Sequence, residues 1–445
     1  MFQRKIQSFL QNWKKSSSRK PLVLRGARQV GKTTAVEIFA KEFDTFLHLN
    51  LERKADYDIF EQNSSAEDVL TAIHLLKNKV KKDGHTLLFI DEIQTSPKAV
   101  ALLRYFYEDI PELYVISAGS LLETLLDTHI SFPVGRVEYL ALHPCSFSEF
   151  LGAIGEEQIR ERLLEGDLPL AIHERVLKLY NEYVIVGGMP EAVSHYVEHR
   201  DFVALRRVYD SLLTGYADDT EKYAKNDTEK KVLRHILTYG WNYAGQRIKF
   251  ERFGGSNYKS REMGEAFRAL EKAMLLELSY PTTSTDMPLL PDFKKSPKLL
   301  WLDTGLVNYV SGNQQELFGT TDISEHFKGN IAEHIVGQNL LSAHESVAIR
   351  RNFWVRNALN SQAEVDYVMP YKNRLIPIEV KSGSGVKMKS LHLFMEESAG
   401  DVAVRFWNNP LSTDNIELPS GKSYTLINVP YYYAECLETI LEKYA

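Results

Sequence analysis

Gly26-Ala27-Arg28-Gln29-Val30-Gly31-Lys32-Thr33 is the stretch on which the reading of this chain turns. It satisfies the spacing G-x-x-x-x-G-K-[ST] at every fixed position. Before it, Leu22-Val23-Leu24 reads as a short buried strand; after it, residues 35–41 read as a helix. Between strand and helix this spacing has a mechanism. The glycines let backbone N–H groups turn inward around phosphate oxygens, and the helix N-terminus adds partial positive charge. Lys32 then reaches the β- and γ-phosphates, the Thr33 hydroxyl ligates Mg²⁺, and Thr34 continues the cradle. The expected ligands are ATP and Mg²⁺. The alternative is an ordinary glycine turn.

The chain has 445 residues, which typical domain sizes divide into about three domains. Its 44% apolar and 25% charged residues are those of a soluble globular protein, and a net charge of −6 does not advertise nucleic-acid binding by itself. Cys145 and Cys436 make neither a disulfide framework nor a zinc cluster, which fits a reducing, cytoplasmic setting. With no run of about 18 apolar residues, no membrane span is expected. No acid precedes Glu37, and Phe2, Ile6, Phe9 and Trp13 lie near helical spacing, which has the flavour of a transit peptide. The phosphate-loop strand follows too closely to leave room for cleavage, so residues 3–13 are read as a structural helix.

Strand and helix then alternate. Residues 45–51 are a half-buried strand, 66–82 a helix, 86–90 an apolar run ending in Asp91-Glu92, 98–109 a helix and 113–117 a strand. This alternation predicts a doubly wound parallel sheet with its ligand at the carboxyl ends of the strands. Past Pro144, segments 145–165, 171–186 and 201–224 are amphipathic helices punctuated by Gly187-Gly188-Met189-Pro190. Helices at 228–240 and 259–273, a strand at 274–278 and a second at 298–302 give a winged-helix outline. The expected domains are 1–145, 146–225, 226–322 and 323–445.

Asp91 is expected beside the Mg²⁺ held by Thr33, and Glu92 as the base that polarises the attacking water. Ser117 and Ser120 would contact the γ-phosphate or orient the water unless they are simple turn residues. Arg136 would stabilise transition-state charge, in cis or across a subunit boundary, or else is a solvated surface group. With these residues quoted, residues 20 to about 225 resemble the AAA-type branch of phosphate-loop ATPases. The resemblance implies a five-stranded parallel core with a helical lid, Glu92 as hydrolytic glutamate and Ser120 near the sensor position, in proteins that can form homo-oligomers. The lid's second arginine sensor is not identifiable.

In the last domain, Glu364-Val365-Asp366-Tyr367-Val368 and Ile376-Pro377-Ile378-Glu379-Val380-Lys381 read as a hairpin. Period-two alternation puts Glu364 with Asp366 and Glu379 with Lys381 on one face, and Val365, Tyr367, Ile376, Ile378 and Val380 on the other. Two carboxylates and a lysine can hold Mg²⁺ against a phosphodiester, and helical Glu333 would add an acid. A hairpin with one solvated charged face looks the same. The order Glu333, Asp366, Glu379-x-Lys381 resembles the PD-(D/E)xK nuclease superfamily, a restriction-endonuclease-like α/β fold. That resemblance implies metal ligation by Glu333, Asp366 and Glu379, with Asp366, Glu379 and Lys381 catalytic. Val365 stands where the motif has proline, and Pro377 sits poorly in a central ladder. Gly187-Gly188-Met189-Pro190-Glu191-Ala192, Leu302-Asp303-Thr304-Gly305-Leu306 and Glu364-Val365-Asp366 extend a resemblance to bacterial and archaeal ATPases that join an AAA-type domain to winged-helix-like and nuclease-like parts. It implies a Mg²⁺-dependent ATPase acting on a DNA-binding or nuclease-like half. The rival is a nucleotide-dependent switch that binds DNA or protein and never cuts.

Overall fold

The computed structural model describes residues 2–63, 65–80, 84–119, 132–133, 135–222, 224–312, 329–358, 361–381 and 388–445. Helix α1 (Ile6–Lys15) leads into strand β1 (Leu22–Arg25) and helix α2 (Lys32–Phe39). Strand β2 (Thr45–Asn50), helices α3 (Lys54–Gln62) and α4 (Ala66–Leu76), strand β3 (Thr86–Asp91), helix α5 (Pro97–Asp109), and strands β4 (Tyr114–Gly119) and β5 (Glu138–Ala141) follow. The five strands form one sheet in the order β2-β3-β4-β1-β5. Every pairing in it is parallel. Such a sheet needs cover on both faces, which is why Leu87, Leu88, Phe89 and Ile90 are all fully buried. Helix α1 contributes Ile6, Leu10 and Trp13 to that cover. It runs two residues further than the sequence reading placed it.

The helical segments are shorter than the periodicity suggested. The stretch 145–165 is two helices, α6 (Phe147–Ala153) and α7 (Glu157–Leu164), and α6 opens with a capping box between Ser146 and Glu149. Then come α8 (His173–Val186), α9 (Pro190–His199) and α10 (Leu205–Lys222). The turn Gly187-Gly188-Met189-Pro190 runs straight into helix α9, with Pro190 as its first residue, where a missing N–H costs nothing.

Helices α11 (Asp227–Tyr239) and α12 (Ser260–Lys272) precede strands β6 (Leu276–Ser279), β7 (Pro281–Thr282) and β8 (Lys298–Trp301) and helix α13 (Thr304–Val310). Strands β6 and β8 pair antiparallel as a two-stranded sheet. Trp301 stacks on Trp241 with ring centroids 3.8 Å apart, fastening this sheet to the helices.

Helix α14 (Gly329–Ser342) precedes β9 (Asn352–Val355), β10 (Glu364–Tyr371), β11 (Arg374–Val380), helix α15 (Lys389–Glu397), β12 (Val402–Trp407), β13 (Ser412–Glu417), β14 (Ser423–Pro430) and α16 (Leu437–Tyr444). The seven-stranded sheet runs β13-β14-β12-β11-β10-β9-β7. Ile335 and Val336 of α14 pack with Tyr367, Ile376, Ile378 and Val380. Phe394 and Met395 of α15 pack instead with Trp354, Val365 and Val368. Val365 and Tyr367 therefore lie in different cores, against the expected alternation. The cause is a bulge between Val365 and Val368, which adds a residue to β10 against β9 and reverses the pattern. Pro377 is accommodated because pairing with β12 begins at Ile378, one residue past it. Among the described residues no helix is long and apolar enough to cross a membrane.

Candidate nucleotide site and the C-terminal acidic cluster

Between β1 and α2 the chain must reverse around a small space, and Gly31 does so with φ 92°, a conformation that favours glycine. Lys32 Nζ donates to the carbonyls of Gly26 and Ala27 at 2.8 Å each, so the loop itself holds the ammonium. Burial lowers Lys32 to about 8, opposed by Glu92 and Asp91. Thr33 Oγ1 donates to Asp91 Oδ2 at 2.8 Å, which joins the first turn of α2 to the end of β3. A hydroxyl and a carboxylate at one point are hard oxygen ligands suited to Mg²⁺, and the residues fit that ion. Asp91 Oδ1 accepts from the Glu92 amide at 3.1 Å. Glu92 has φ 53°, and its Oε2 accepts from Gln94 Nε2. Burial raises the Glu92 carboxyl above the ordinary glutamate value, against the Gln94 hydrogen bond.

These groups open on a cleft of ≈ 980 Å³. Arg28, Gln29, Gly31, Lys32, Thr33 and Thr34 line one side with Asp91 and Glu92, while Pro190, Glu191 and Ser194 of α9 line another. Ala27 and Val30 are buried behind the loop, and Gly26 lies against the Leu142 carbonyl. Arg28 is ion-paired with Asp219 of α10, and Tyr216 donates to the Arg28 carbonyl at 3.2 Å, so α10 grips the loop. One expectation is corrected, and Arg136 takes the surface alternative kept for it. Ser117 is buried in the sheet and its hydroxyl donates to the Leu22 carbonyl at 3.3 Å, away from the cleft. Arg136 pairs with Glu108 at 2.7 Å on the surface and does not reach this chain's cleft. Ser120 lies outside the described residues.

At the other end, Asp366, Glu379 and Lys381 do converge. Asp366 Oδ2 accepts from the Val380 amide at 2.7 Å, and Lys381 Nζ contacts Glu379 Oε1 at 2.7 Å. The face is not a solvated one: Glu333 is 8% exposed and Glu379 3%. Lys298, the first residue of β8, reaches in between the acids. Its Nζ lies 2.6 Å from Glu333 Oε1, 2.8 Å from Glu364 Oε1 and 4.0 Å from Asp366 Oδ1. The expected ligand set of Glu333, Asp366 and Glu379 is therefore not brought together around one point. Glu333 is taken by Lys298 and Glu379 by Lys381, and among the described residues no three His, Cys, Asp or Glu are arranged to hold a metal. Burial pushes Glu333 up to about 8 against the pull of Lys298, and pushes Glu379 up to about 7, with Asp366 adding to it. Burial also disfavours the Lys298 ammonium, but Glu333, Asp366 and Glu364 outweigh it and hold it above its ordinary value. The two directions oppose each other across the 2.6 Å contact; because Lys298 faces two further carboxylates, the ion pair is the form the geometry favours.

Residues 18–151 match the AAA domain family. This part of the chain is an AAA-type P-loop domain. Residues 177–317 and 328–431 match two domain families of unknown function, DUF8612 and DUF4143. Among solved structures, the chain is similar to a Walker-type ATPase of Pyrococcus abyssi at 14% identity and TM-score 0.46, covering 70% of this chain and 96% of that one. It is also similar to a signal transduction ATPase with numerous domains and a tetratricopeptide repeat sensor from Pyrococcus horikoshii, at 15% identity and TM-score 0.28, covering 77% of this chain and 45% of that one. No curated protein matches the chain significantly.

Sequence reasoning passed over two groups that the structure brings to the fore. One is Lys298, whose only signal was a lone cation opening the apolar strand Lys298-Leu299-Leu300-Trp301. The other is Asp303, fully buried, whose Oδ2 accepts from the Gly188 amide at 2.5 Å and from Gln338 Nε2 at 3.2 Å. Its Oδ1 caps α13 by accepting from the Leu306 amide at 3.0 Å. Burial raises Asp303 to about 6, against the hydrogen bonds from Gly188 and Leu306. Two motifs singled out separately in the sequence thus meet, and they join the turn between α8 and α9 to α13 and α14.

Proposed function

We propose that the chain binds Mg²⁺-ATP in the AAA domain, hydrolyses it, and uses the nucleotide state to reposition its C-terminal half. The observation that carries the coupling is the continuity of contacts. Pro190, on the cleft wall, begins α9; two residues earlier, Gly188 donates to Asp303; Asp303 accepts from Gln338 of α14. Thr304 extends the junction, its amide donating to Gln338 Oε1 at 2.8 Å and its hydroxyl meeting His334 Nδ1 at 3.0 Å. Glu333, next to His334, belongs to the acidic cluster, and Lys298 lies five residues before Asp303.

In the chemical step, Lys32 would bind the β- and γ-phosphates, Thr33 and Asp91 would hold Mg²⁺, and Glu92 would orient and polarise the attacking water. Bound Mg²⁺ supplies charge neutralisation on the phosphates. Lys32→Ala is expected to abolish ATP turnover, and Asp366→Ala to leave it intact. Loss of phosphate release in a folded Asp366→Ala protein would overturn the division into two sites.

Of the two readings of the C-terminal half, a non-cleaving switch that binds DNA or a protein partner fits better than a nuclease, because Lys298 stands among the acids that a nuclease would use to bind metal. The convergence of Asp366, Glu379 and Lys381 is what speaks for the second reading, the nuclease. Plasmid DNA incubated with the protein, ATP and Mg²⁺ or Mn²⁺ decides: retention without nicking supports the switch, and metal-dependent nicking lost in Glu379→Ala supports the nuclease.

A further inference from the structure

Four carboxylates, Glu333, Glu364, Asp366 and Glu379, come together from α14, β10 and β11. Glu333 and Glu379 are buried and Glu364 and Asp366 half-buried; negative charge at this density requires a counter-ion, and either a metal or an ammonium can supply it. Here the counter-ion comes from another sheet. Lys298 belongs to the two-stranded β6–β8 sheet, is 2% exposed, and ends 4.6 Å over the Phe353 ring, a contact that favours a cation. Lys381 compensates Glu379 from the other side, and Arg247 approaches Glu364 at 3.7 Å. One acceptor is left over: Glu379 Oε2 is buried without a hydrogen-bond partner. The acids are thus held by two ammonium groups, Lys298 against Glu333 and Glu364 and Lys381 against Glu379, and the cations of this cluster are part of the chain.

We propose that Lys298 is a built-in cation that keeps divalent metal out of the C-terminal acidic site. A metal ion entering among these acids would have to share Glu333 and Asp366 with an ammonium a few ångströms away, and like charges that close in a dry pocket repel strongly. Removing the ammonium leaves oxygens from Glu333, Glu364, Asp366 and Glu379, hard ligands of the kind Mg²⁺ and Mn²⁺ prefer. A merely structural ion pair makes a different forecast, since its loss would destabilise the chain and confer no affinity for metal. The inference deepens the non-cleaving reading, and the two fail separately. Plasmid nicking by the wild type would sink that reading, whereas metal binding without nicking would sink only the role of the lysine.

The test is titration of full-length, nucleotide-free protein with Mn²⁺, following the free ion by electron paramagnetic resonance. Binding at Thr33 and Asp91 is common to every variant and subtracts out. The wild type and Glu379→Gln are expected to bind Mn²⁺ alike. Lys298→Met is expected to gain one site per chain, at least about tenfold tighter than any in the wild type, and Lys298→Met/Glu379→Gln to lose it. Lys298→Arg keeps a cation and is expected to gain nothing. Should Lys298→Met fold only when Mn²⁺ is present, that too supports the proposal. A wild-type site abolished by Glu379→Gln would overturn it. So would a Lys298→Met protein that binds no more Mn²⁺ than the wild type, or that stays unfolded in its presence.

Discussion

Lys32 rests on two carbonyls of its own loop, and Glu92 on one amide, Gln94. Both groups are therefore placed before any nucleotide arrives, and preorganised charge is what phosphoryl transfer chiefly needs. Glu92→Gln keeps the shape of the side chain but removes the base. It is expected to bind ATP as the wild type does and to lose turnover by roughly 10²-fold or more, read as phosphate release beside equilibrium nucleotide binding. The Glu92 carboxyl is raised above 4.5, so a larger share of it is protonated at a given acidic pH. Turnover should therefore fall as pH drops, with a midpoint above that value, and an acid limb centred at or below it would contradict the assignment. This pair of acids was legible in the sequence because Asp91-Glu92 ends a strand buried on both faces beside a complete phosphate loop, although two acids can also simply cap a strand. Lys298 was not legible, because a lysine at the head of a strand is ordinarily a surface residue; what makes it buried is α14 and β10 arriving from elsewhere.

Among the elements, α1 and the turn before α9 hold the AAA domain in shape. Leu10 is fully buried against α2 and the sheet, and Arg4 just ahead of α1 reaches the Val30 and His143 carbonyls at 3.1 and 2.8 Å. Leu10→Ala is expected to cost about 2–5 kcal/mol in denaturant unfolding, the usual range for a buried leucine, whereas a helix merely lying on the surface would lose far less. Gly188 is packed so closely that a methyl group there would stand 2.3 Å from the Cys145 carbonyl oxygen. Gly188→Ala must therefore push the turn before α9 away from Pro144 and Cys145, and a drop in melting temperature with weakened ATP binding is the expected result. Helices with a clear apolar stripe, such as α11 and α12, were read nearly to the residue. Strand β5 was missed because its four residues bury only Ala141 fully, too little pattern for any period to show.

Across the whole molecule, the hydrogen bonds meeting at Asp303 link the turn beside the P-loop cleft to α14, the helix that carries Glu333 of the acidic cluster. Asp303→Asn keeps the volume but cannot accept at both oxygens from Gly188, Leu306 and Gln338. It is expected to hydrolyse ATP while losing any nucleotide-dependent change in hydrogen exchange over residues 364–380. An unchanged exchange response in that variant would place the coupling elsewhere. The N-terminus adds a second tie, since Lys5 pairs with Glu435 at 2.6 Å and Glu435 also accepts from the Ser148 amide at 2.9 Å.

By itself the sequence determined the phosphate loop, the parallel sheet that presents it, the two acids at the end of β3 and the helices with strong apolar stripes. These follow from local rules, since glycine conformation, strand burial and helical periodicity are each written within a dozen residues. Only the tertiary structure decided that Gly188 meets Asp303, that a bulge splits Val365 from Tyr367, and that Lys298 enters an acidic pocket built by other elements. Those outcomes depend on which surfaces pack together, and the free energy of a buried charge is set by neighbours that the chain brings in from far along its length.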